Sequence, residues 1–217
     1  MGEGGRIVSS LWLWVDECEH FAEARKLCTS VRHGTNAAAE DWVLETERLR
    51  LRRFRRDDAE AVFAIIGDEV AMQFYPRPFV RRDADEWVAR NLRRYAENGH
   101  GLFAVTLKDS EEVIGDCGVI LQMVAGTPQL EVGYHFRRDH WGHGYATEAA
   151  EACMALAFRE YGAKKVVSLI RSKNMPSRRV AKRNGMAVEY QVIHHGLPHL
   201  VYAMGREEFE RTHGLKR

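Results

Sequence analysis

The sequence predicts a single α/β (mixed α+β) domain: a mostly antiparallel sheet flanked by helices and splayed between its fourth and fifth strands. Three observations carry that expectation. Leu102 to Leu107, Val113 to Met123 and Gln129 to Phe136 are strand-like runs separated only by turn residues, which reads as an antiparallel meander. A long helix follows and then the β-branched run Lys165 to Ile170, so strands four and five are joined by a crossover and lie parallel. Length agrees, because 217 residues suit one domain with an appendage better than two domains.

Residues 1–44 read as a poorly ordered or accessory leader. Asp16 to Cys28 suits a short helix, but Gly2, Gly4, Gly5, Gly34 and Asn36 to Ala39 have linker character. The domain is expected over 45–212, opening with Leu49, Leu51 and Phe54 alternating among arginines as the first strand. Asp57 and Asp58 then start a helix carrying Ala61, Val62, Ile65 and Ile66 on one face. Phe74 to Phe79, with two prolines, is irregular. A second helix runs from Arg82 to Glu97, with Trp87, Val88, Leu92 and Tyr95 in helical spacing, and stops at Asn98-Gly99. After the meander, a helix from Phe136 to about Tyr161 is closed by Gly162, with the turns at Asp109-Ser110 and Gly126-Thr127-Pro128 behind it. Pro176 to Asn184 forms a short helix ended by Gly185. Met186 to Ile193 and Leu200 to Met204 form the last pair, around His194 to Pro198.

Composition removes several classes of function. Lys plus Arg total 32 against 31 Asp plus Glu, so no global basic field recruits nucleic acid and any anion must be caught locally. Cys18, Cys28, Cys117 and Cys153 share no CxxC spacing and no neighbouring His pair, which predicts a reduced cytoplasmic protein without a metal. The apolar stretch Ile7 to Val15 is too short to span a membrane. It also lacks a neutral path to the triplet Ala22-Glu23-Ala24, so no export signal is expected.

The chemistry concentrates where the fourth strand meets the long helix, in Glu131-Val-Gly-Tyr-His-Phe136 and Trp141-Gly-His-Gly-Tyr-Ala-Thr-Glu148. Gly142 and Gly144 expose backbone N–H groups at a helix N-terminus, where orphan donors and the helix dipole together favour a phosphate. A dinucleotide fingerprint fails, because its sixth place is Thr147 and no acidic residue ends the next strand, Ile170-Arg171. No Gly-Lys-Ser/Thr ending exists for a Walker A loop.

These residues resemble the GCN5-related N-acetyltransferases, whose Q/R-x-x-G-x-G/A motif cradles the pyrophosphate of acetyl-CoA. Trp141 to Ala146 fits with one departure, Trp141 in the first place, and W-G-x-G-Y-A-T-E-A is similar to the branch of ribosomal-protein N-terminal acetyltransferases. The resemblance extends to Thr46 to Arg52, Ile114-Gly115, Asn174-Met-Pro-Ser177 and Gly185-Met186, nearly all of 45–210. It implies acetyl-CoA as co-substrate, an amine acceptor, and a monomer or homodimer. It also implies that Tyr134, His135 and Phe136 offer backbone groups to the pantetheine arm. Trp141, Gly142, His143, Gly144, Tyr145, Ala146 and Thr147 would hold the pyrophosphate, with Asn174 touching the arm from the opposite side. The basic helix residues Arg178, Arg179, Lys182 and Arg183 would meet the 3′-phosphate or simply form a solvated face.

An amine attacks a thioester only when neutral, so such a site needs a base and a donor for the departing thiolate. Glu131, at the start of the fourth strand, is the candidate base, with Asp116 and His135 in reserve. Ser177 stands where many members of the resembled family carry a hydroxyl donor, and it also suits a helix start. An acetyl-cysteine route would need Cys117 or Cys153 as thiolate, while Cys153 lies on an apolar helix stripe. Phe74, Tyr75, Phe79 and His194 to His199 are the expected specificity segments. His194, His195 and His199 lack metal-ligand spacing. The alternative function is a non-catalytic acyl-CoA-binding sensor.

Overall fold

The computed structural model describes residues 42–77 and 79–214. The strands are β1 (Trp42–Glu45), β2 (Leu49–Arg52), β3 (Leu102–Leu107), β4 (Val113–Val124), β5 (Thr127–Phe136), β6 (Lys165–Arg171), β7 (Ala187–His194) and β8 (Leu197–Gly205). The helices are α1 (Ala59–Ile66), α2 (Arg81–Asn98), α3 (Tyr145–Arg159), α4 (Met175–Arg183) and α5 (Arg206–His213). Among the described residues, all eight strands form one sheet in the order β1-β2-β3-β4-β5-β6-β8-β7.

Every neighbouring pair is antiparallel except β5 and β6, which are parallel as the crossover requires. The contrast in pairing makes the site. β4 and β5 pair continuously from Gly115↔Phe136 to Val124↔Thr127, whereas β5 and β6 meet at one bridge, Glu131↔Val167. Beyond that bridge the two strands part. The Ser168 hydroxyl donates to the Val132 carbonyl at 2.7 Å and ties the strands where the opening begins.

Helix α3 lies against β4 and β5 because its inward stripe is small: Ala149, Ala150, Cys153 and Ala157 are fully buried, and short side chains permit close approach. Its N-terminus is thereby set over the parting strands. Helix α2 is anchored by Asn91, whose side-chain Oδ1 accepts from the Leu102 N–H at 3.0 Å. The start of α1 is fixed by a buried pair in which Arg52 donates twice to Asp58, at 2.7 and 2.8 Å.

Several boundaries differ from the sequence reading. Trp42, Val43 and Leu44, assigned there to the leader, belong to β1, which pairs with β2. The remainder of the leader, with the helix expected at Asp16 to Cys28, lies outside the described residues. The long helix starts at Tyr145, after a 3-10 turn over Arg138–His140 and the segment 141–144. Both late hairpins turn on two residues of positive φ, Ala125-Gly126 and His195-Gly196, so Pro128 and Pro198 stand in strands. Each proline pairs on one side only, with Met123 or Ile193, at a position β6 does not reach, so its missing N–H leaves no gap in a ladder. The sequence reading also ended before α5, whose Phe209 packs on Phe158 with centroids 5.0 Å apart.

Candidate active site

The segment between β5 and α3 is shaped by its glycines. Gly142 and Gly144 have φ of 84° and 85°, a left-handed conformation that side-chain-bearing residues rarely adopt, and a Cβ on Gly142 would meet nothing within 4 Å. The loop therefore presents bare main chain beside the orphan N–H groups that open α3. Its ends are pinned. The Trp141 indole N–H donates to the Phe136 carbonyl at 2.8 Å, and Arg48 donates to the His143 carbonyl at 2.9 Å. Glu148, in the first turn of α3, accepts from the Thr46 hydroxyl at 2.6 Å, the Arg48 N–H at 2.9 Å and the Arg48 Nε at 2.7 Å. Burial alone would raise the Glu148 carboxyl, but these bonds from Thr46 and Arg48 hold it below the ordinary range. Two separate parts of the recognised motif, Thr46-Glu-Arg48 and the Glu148 end of the glycine segment, thus form one brace.

A cavity of about 450 Å³ starts at this loop, passes through the opening between β5 and β6, and ends against α2 and the segment after α1. Of the residues expected to hold acetyl-CoA or act in catalysis, Glu131, Tyr134 to Phe136, Trp141, Gly142, Gly144 to Thr147, Asn174 and Ser177 line it, and His143 does not, its ring stacking on Tyr145 with centroids 5.5 Å apart. At the loop end, the Thr147 hydroxyl is buried without a hydrogen-bond partner among the described residues. Helix α4 forms the facing wall. Its Asn174 caps the helix by accepting from the Ser177 N–H at 3.1 Å, so Ser177 is not itself the cap. The Ser177 carbonyl accepts from Tyr134 at 3.0 Å, across the opening. Of the basic residues on α4, Arg179 and Arg183 line the cavity, whereas Arg178 turns away to Tyr202 and the Ser172 carbonyl.

The far end carries side chains. Glu131 stands on the bridge itself, its carboxylate accepting from the Leu169 N–H at 3.3 Å. Burial pushes its pKa up to about 7, against the opposing pull of that N–H, Arg94 and His135. Asp116, fully buried on β4, accepts from the Trp87 indole at 2.9 Å and sits 2.7 Å from Nδ1 of His135. Nε2 of His135 is 2.7 Å from the Tyr75 hydroxyl. Phe74 and Tyr75 line the cavity, while Phe79 packs on the Tyr75 and Trp87 rings at 5.7 and 6.0 Å.

Sequence reasoning missed Arg90 and Arg94, which bring two guanidinium groups to this wall. Their spacing from Trp87, three and seven residues, is the helical signal that marks them as its neighbours. Ser168 was missed as well, and no local pattern announces it.

Cys117 and Cys153 are fully buried and lie outside the cavity lining. Burial, then contact with Cys153, pushes the Cys117 thiol well above its ordinary range, which is opposite to what an acyl-accepting thiolate requires. His194, His195 and His199 gather on the β7–β8 hairpin with ring centroids 4.1 and 5.8 Å from His194. Among the described residues no group of three His, Cys, Asp or Glu is arranged to hold a metal, and no helix is long and apolar enough to cross a membrane.

Comparison with known proteins agrees with this geometry. The acetyltransferase (GNAT) domain model matches residues 48–187. The uncharacterised protein YkkB of Bacillus subtilis is 35% identical over 160 residues, covering 73% of this chain and 93% of its own. The uncharacterised N-acetyltransferase YnaD of the same organism is 31% identical over 147 residues, covering 67% and 83%. The crystal structure of a GNAT-family acetyltransferase from Bacillus anthracis superimposes with a TM-score of 0.65 at 27% identity, over 76% of this chain and 99% of that one. RimJ of Mycobacterium smegmatis, solved with CoA-disulfide, shares the fold with a TM-score of 0.59 at 19% identity, over 76% and 89%. With a glycine loop at a helix N-terminus, a sheet parted at one parallel bridge and a family match across most of its described residues, the chain belongs to the GNAT acetyltransferases.

Proposed function

We propose that the protein transfers the acetyl group of acetyl-CoA to a primary amine, a protein N-terminus or a small-molecule amine, with both substrates bound together. One observation carries the reading: a single cavity joins the main-chain phosphate loop to the Glu131 carboxylate through the parted strands. The residues suit acetyl-CoA. Gly142 to Thr147 offer bare backbone and a partnerless buried hydroxyl for the pyrophosphate, and Arg179 and Arg183 supply positive charge beside it. Tyr134, His135, Phe136 and Asn174 border the passage suited to the pantetheine arm. Bound there, acetyl-CoA supplies the activated acyl carbon.

Glu131 takes a proton from the incoming ammonium. A carboxyl titrating at about 7 is matched to that task near neutral pH, being ionised often enough to accept and basic enough to hold. Ser177 faces the same passage from α4 and donates to the departing thiolate. Direct transfer suits a chain whose Cys117 thiol is buried away from the cavity and held protonated. Among the described residues, Cys117 and Cys153 are buried and unbridged, which suits a reducing compartment and supports a cytoplasmic assignment.

Purified protein incubated with acetyl-CoA and a panel of amino acids, polyamines, aminoglycosides and N-terminal peptides tests this by thiol release. At least one amine is consumed, and its initial-rate plots intersect. Parallel plots, or acetyl found on Cys117 after mixing with acetyl-CoA alone, overturn the direct mechanism. Thiol release with none of these amines overturns the reading as a whole.

A further inference from the structure

A primary ammonium surrenders two protons on its way to an amide: one before it attacks, and one as the new C–N bond forms. Glu131 accounts for one. The far end of the cavity holds a second acceptor system, assembled from three elements, that the family assignment leaves without a role.

Its polarity follows from hydrogen-bond logic. The Asp116 side chain is wholly enclosed, and its two oxygens face the Trp87 indole N–H at 2.9 Å and Nδ1 of His135 at 2.7 Å. Indole only donates and a carboxylate only accepts, so Nδ1 of His135 carries the proton. In a neutral imidazole the other nitrogen is then an acceptor, and Nε2 lies 2.7 Å from the Tyr75 oxygen. Tyr75 must therefore donate inward to His135. Its oxygen lone pairs are left for the cavity that the residue lines.

We propose that Tyr75 is a catalytic residue that takes the second proton of the attacking amine and relays it to His135, with His135 and Asp116 acting as positioning residues behind it. In that step the N–H bond of the acylating nitrogen breaks and an O–H bond forms on Tyr75. The original Tyr75 O–H breaks as an Nε2–H bond forms, and the nitrogen keeps its electron pair. The imidazolium that results lies against the Asp116 carboxylate, which compensates its charge as in other carboxylate-backed histidines. Free tyrosinate never accumulates, in keeping with burial and the nearby Glu131 and Asp116 carboxylates, which hold the Tyr75 hydroxyl well above its ordinary pKa. The groups facing the relay are Arg90 and Trp87 from α2, Asp116 from β4 and Glu131 from β5, with Arg94 beside Glu131. The Tyr75 ring is held by its edge contact with Phe79 at 5.7 Å, so its aim does not depend on the hydroxyl.

This proposal rests on the acetyltransferase reading above, and its test separates the two. Full-length Tyr75→Phe, His135→Gln and the double variant are assayed with an amine that the wild type acetylates. Tyr75→Phe keeps the ring and its packing, and is expected to lose about 10²-fold in kcat while the KM for acetyl-CoA stays unchanged. His135→Gln retains hydrogen-bonding capacity but cannot accept the proton, and should lose a similar factor. The double variant should be no slower than either single one, because the residues act as a unit. With the second proton left to solvent base, the Tyr75→Phe rate should keep rising with pH above 8, where the wild-type curve has levelled. Wild-type kcat in Tyr75→Phe, or losses that multiply in the double variant, overturns the relay while leaving acetyl transfer intact. If His135→Gln misfolds by circular dichroism, Tyr75→Phe and its pH profile decide alone. Absence of any turnover by the wild type would instead overturn the reading beneath it.

Discussion

The cavity is built from different material at its two ends. At the loop end the cavity-facing groups are chiefly main chain, exposed by Gly142 and Gly144 and gathered within one short segment ahead of α3, with Thr147, Arg179 and Arg183 beside them. At the other end they are side chains, Tyr75, Arg90, Arg94, Glu131 and His135, delivered by an irregular segment, a helix and a strand spread over some sixty positions of sequence. A site made of backbone recognises what every member of a cofactor class shares. A site made of side chains can be changed residue by residue without disturbing the first, which is the arrangement expected of an enzyme with one co-substrate and an adjustable acceptor.

The division can be broken by substitutions that act on one end alone. The largest effect is expected from Gly144→Asp, which places a Cβ at positive φ about 3.4 Å from Arg48 and a negative charge in the anion site. Loss of two charge-assisted hydrogen bonds costs about 3 kcal/mol, over a hundredfold in affinity. Calorimetry with acetyl-CoA reads it, and unchanged affinity would move the phosphate site elsewhere. Glu131→Gln should do the reverse, lowering kcat by about 10²-fold with acetyl-CoA affinity retained. The deficit should be widest between pH 7, where the wild-type carboxylate becomes ionised, and the pKa of the amine, above which free amine no longer needs the base.

The same substitution has a stability signature. Folding raises the Glu131 pKa, so the stability linked to its protonated form is present below the ordinary carboxylate range and is lost as pH rises through about 7. Urea unfolding at pH 5 and pH 8 should show a smaller decline for Glu131→Gln than for wild type. Ser177→Ala is expected to cost roughly tenfold in kcat, less than Glu131→Gln, because water can replace a hydroxyl donor. Equal losses for the two would put the serine on the same footing as the base. The smallest effect is expected from removing residues 1–40, which keeps β1 whole. Acetyl-CoA affinity should be unaltered, and a fall would tie the leader to the loop end.

The sequence was legible in proportion to how local each feature is. The meander, the crossover and the glycine loop ahead of α3 depend on turn residues, β-branched runs and glycines next to one another, and they appear where the sequence predicts them. The hairpin prolines misled, because Pro128 and Pro198 look like loop residues until it is known that β6 does not pair beside them. β1 was missed because four residues are too few to show alternation. At the acceptor end, Glu131 was visible from its place beside the motif, but the bridge that buries it, the Ser168 tie and the Asp116–His135–Tyr75 chain are products of tertiary assembly. No window of sequence contains them.

The brace from Thr46 and Arg48 to Glu148 carries a kinetic consequence. Its partners are separated by 102 and 100 positions, so the geometry of a motif that looks wholly local is completed by one of the longest loop closures in the fold. Such a contact is entropically late, forming only after the intervening meander has brought its ends together. During synthesis the glycine segment leaves the ribosome with Thr46 and Arg48 already translated but unplaced, and it acquires its final form only when the sheet between them exists. If that segment holds acetyl-CoA as proposed above, binding of the coenzyme is a reporter of complete folding. A fragment that begins after β2 and retains every motif residue from Trp141 to Glu148 would lack the strap that sets them.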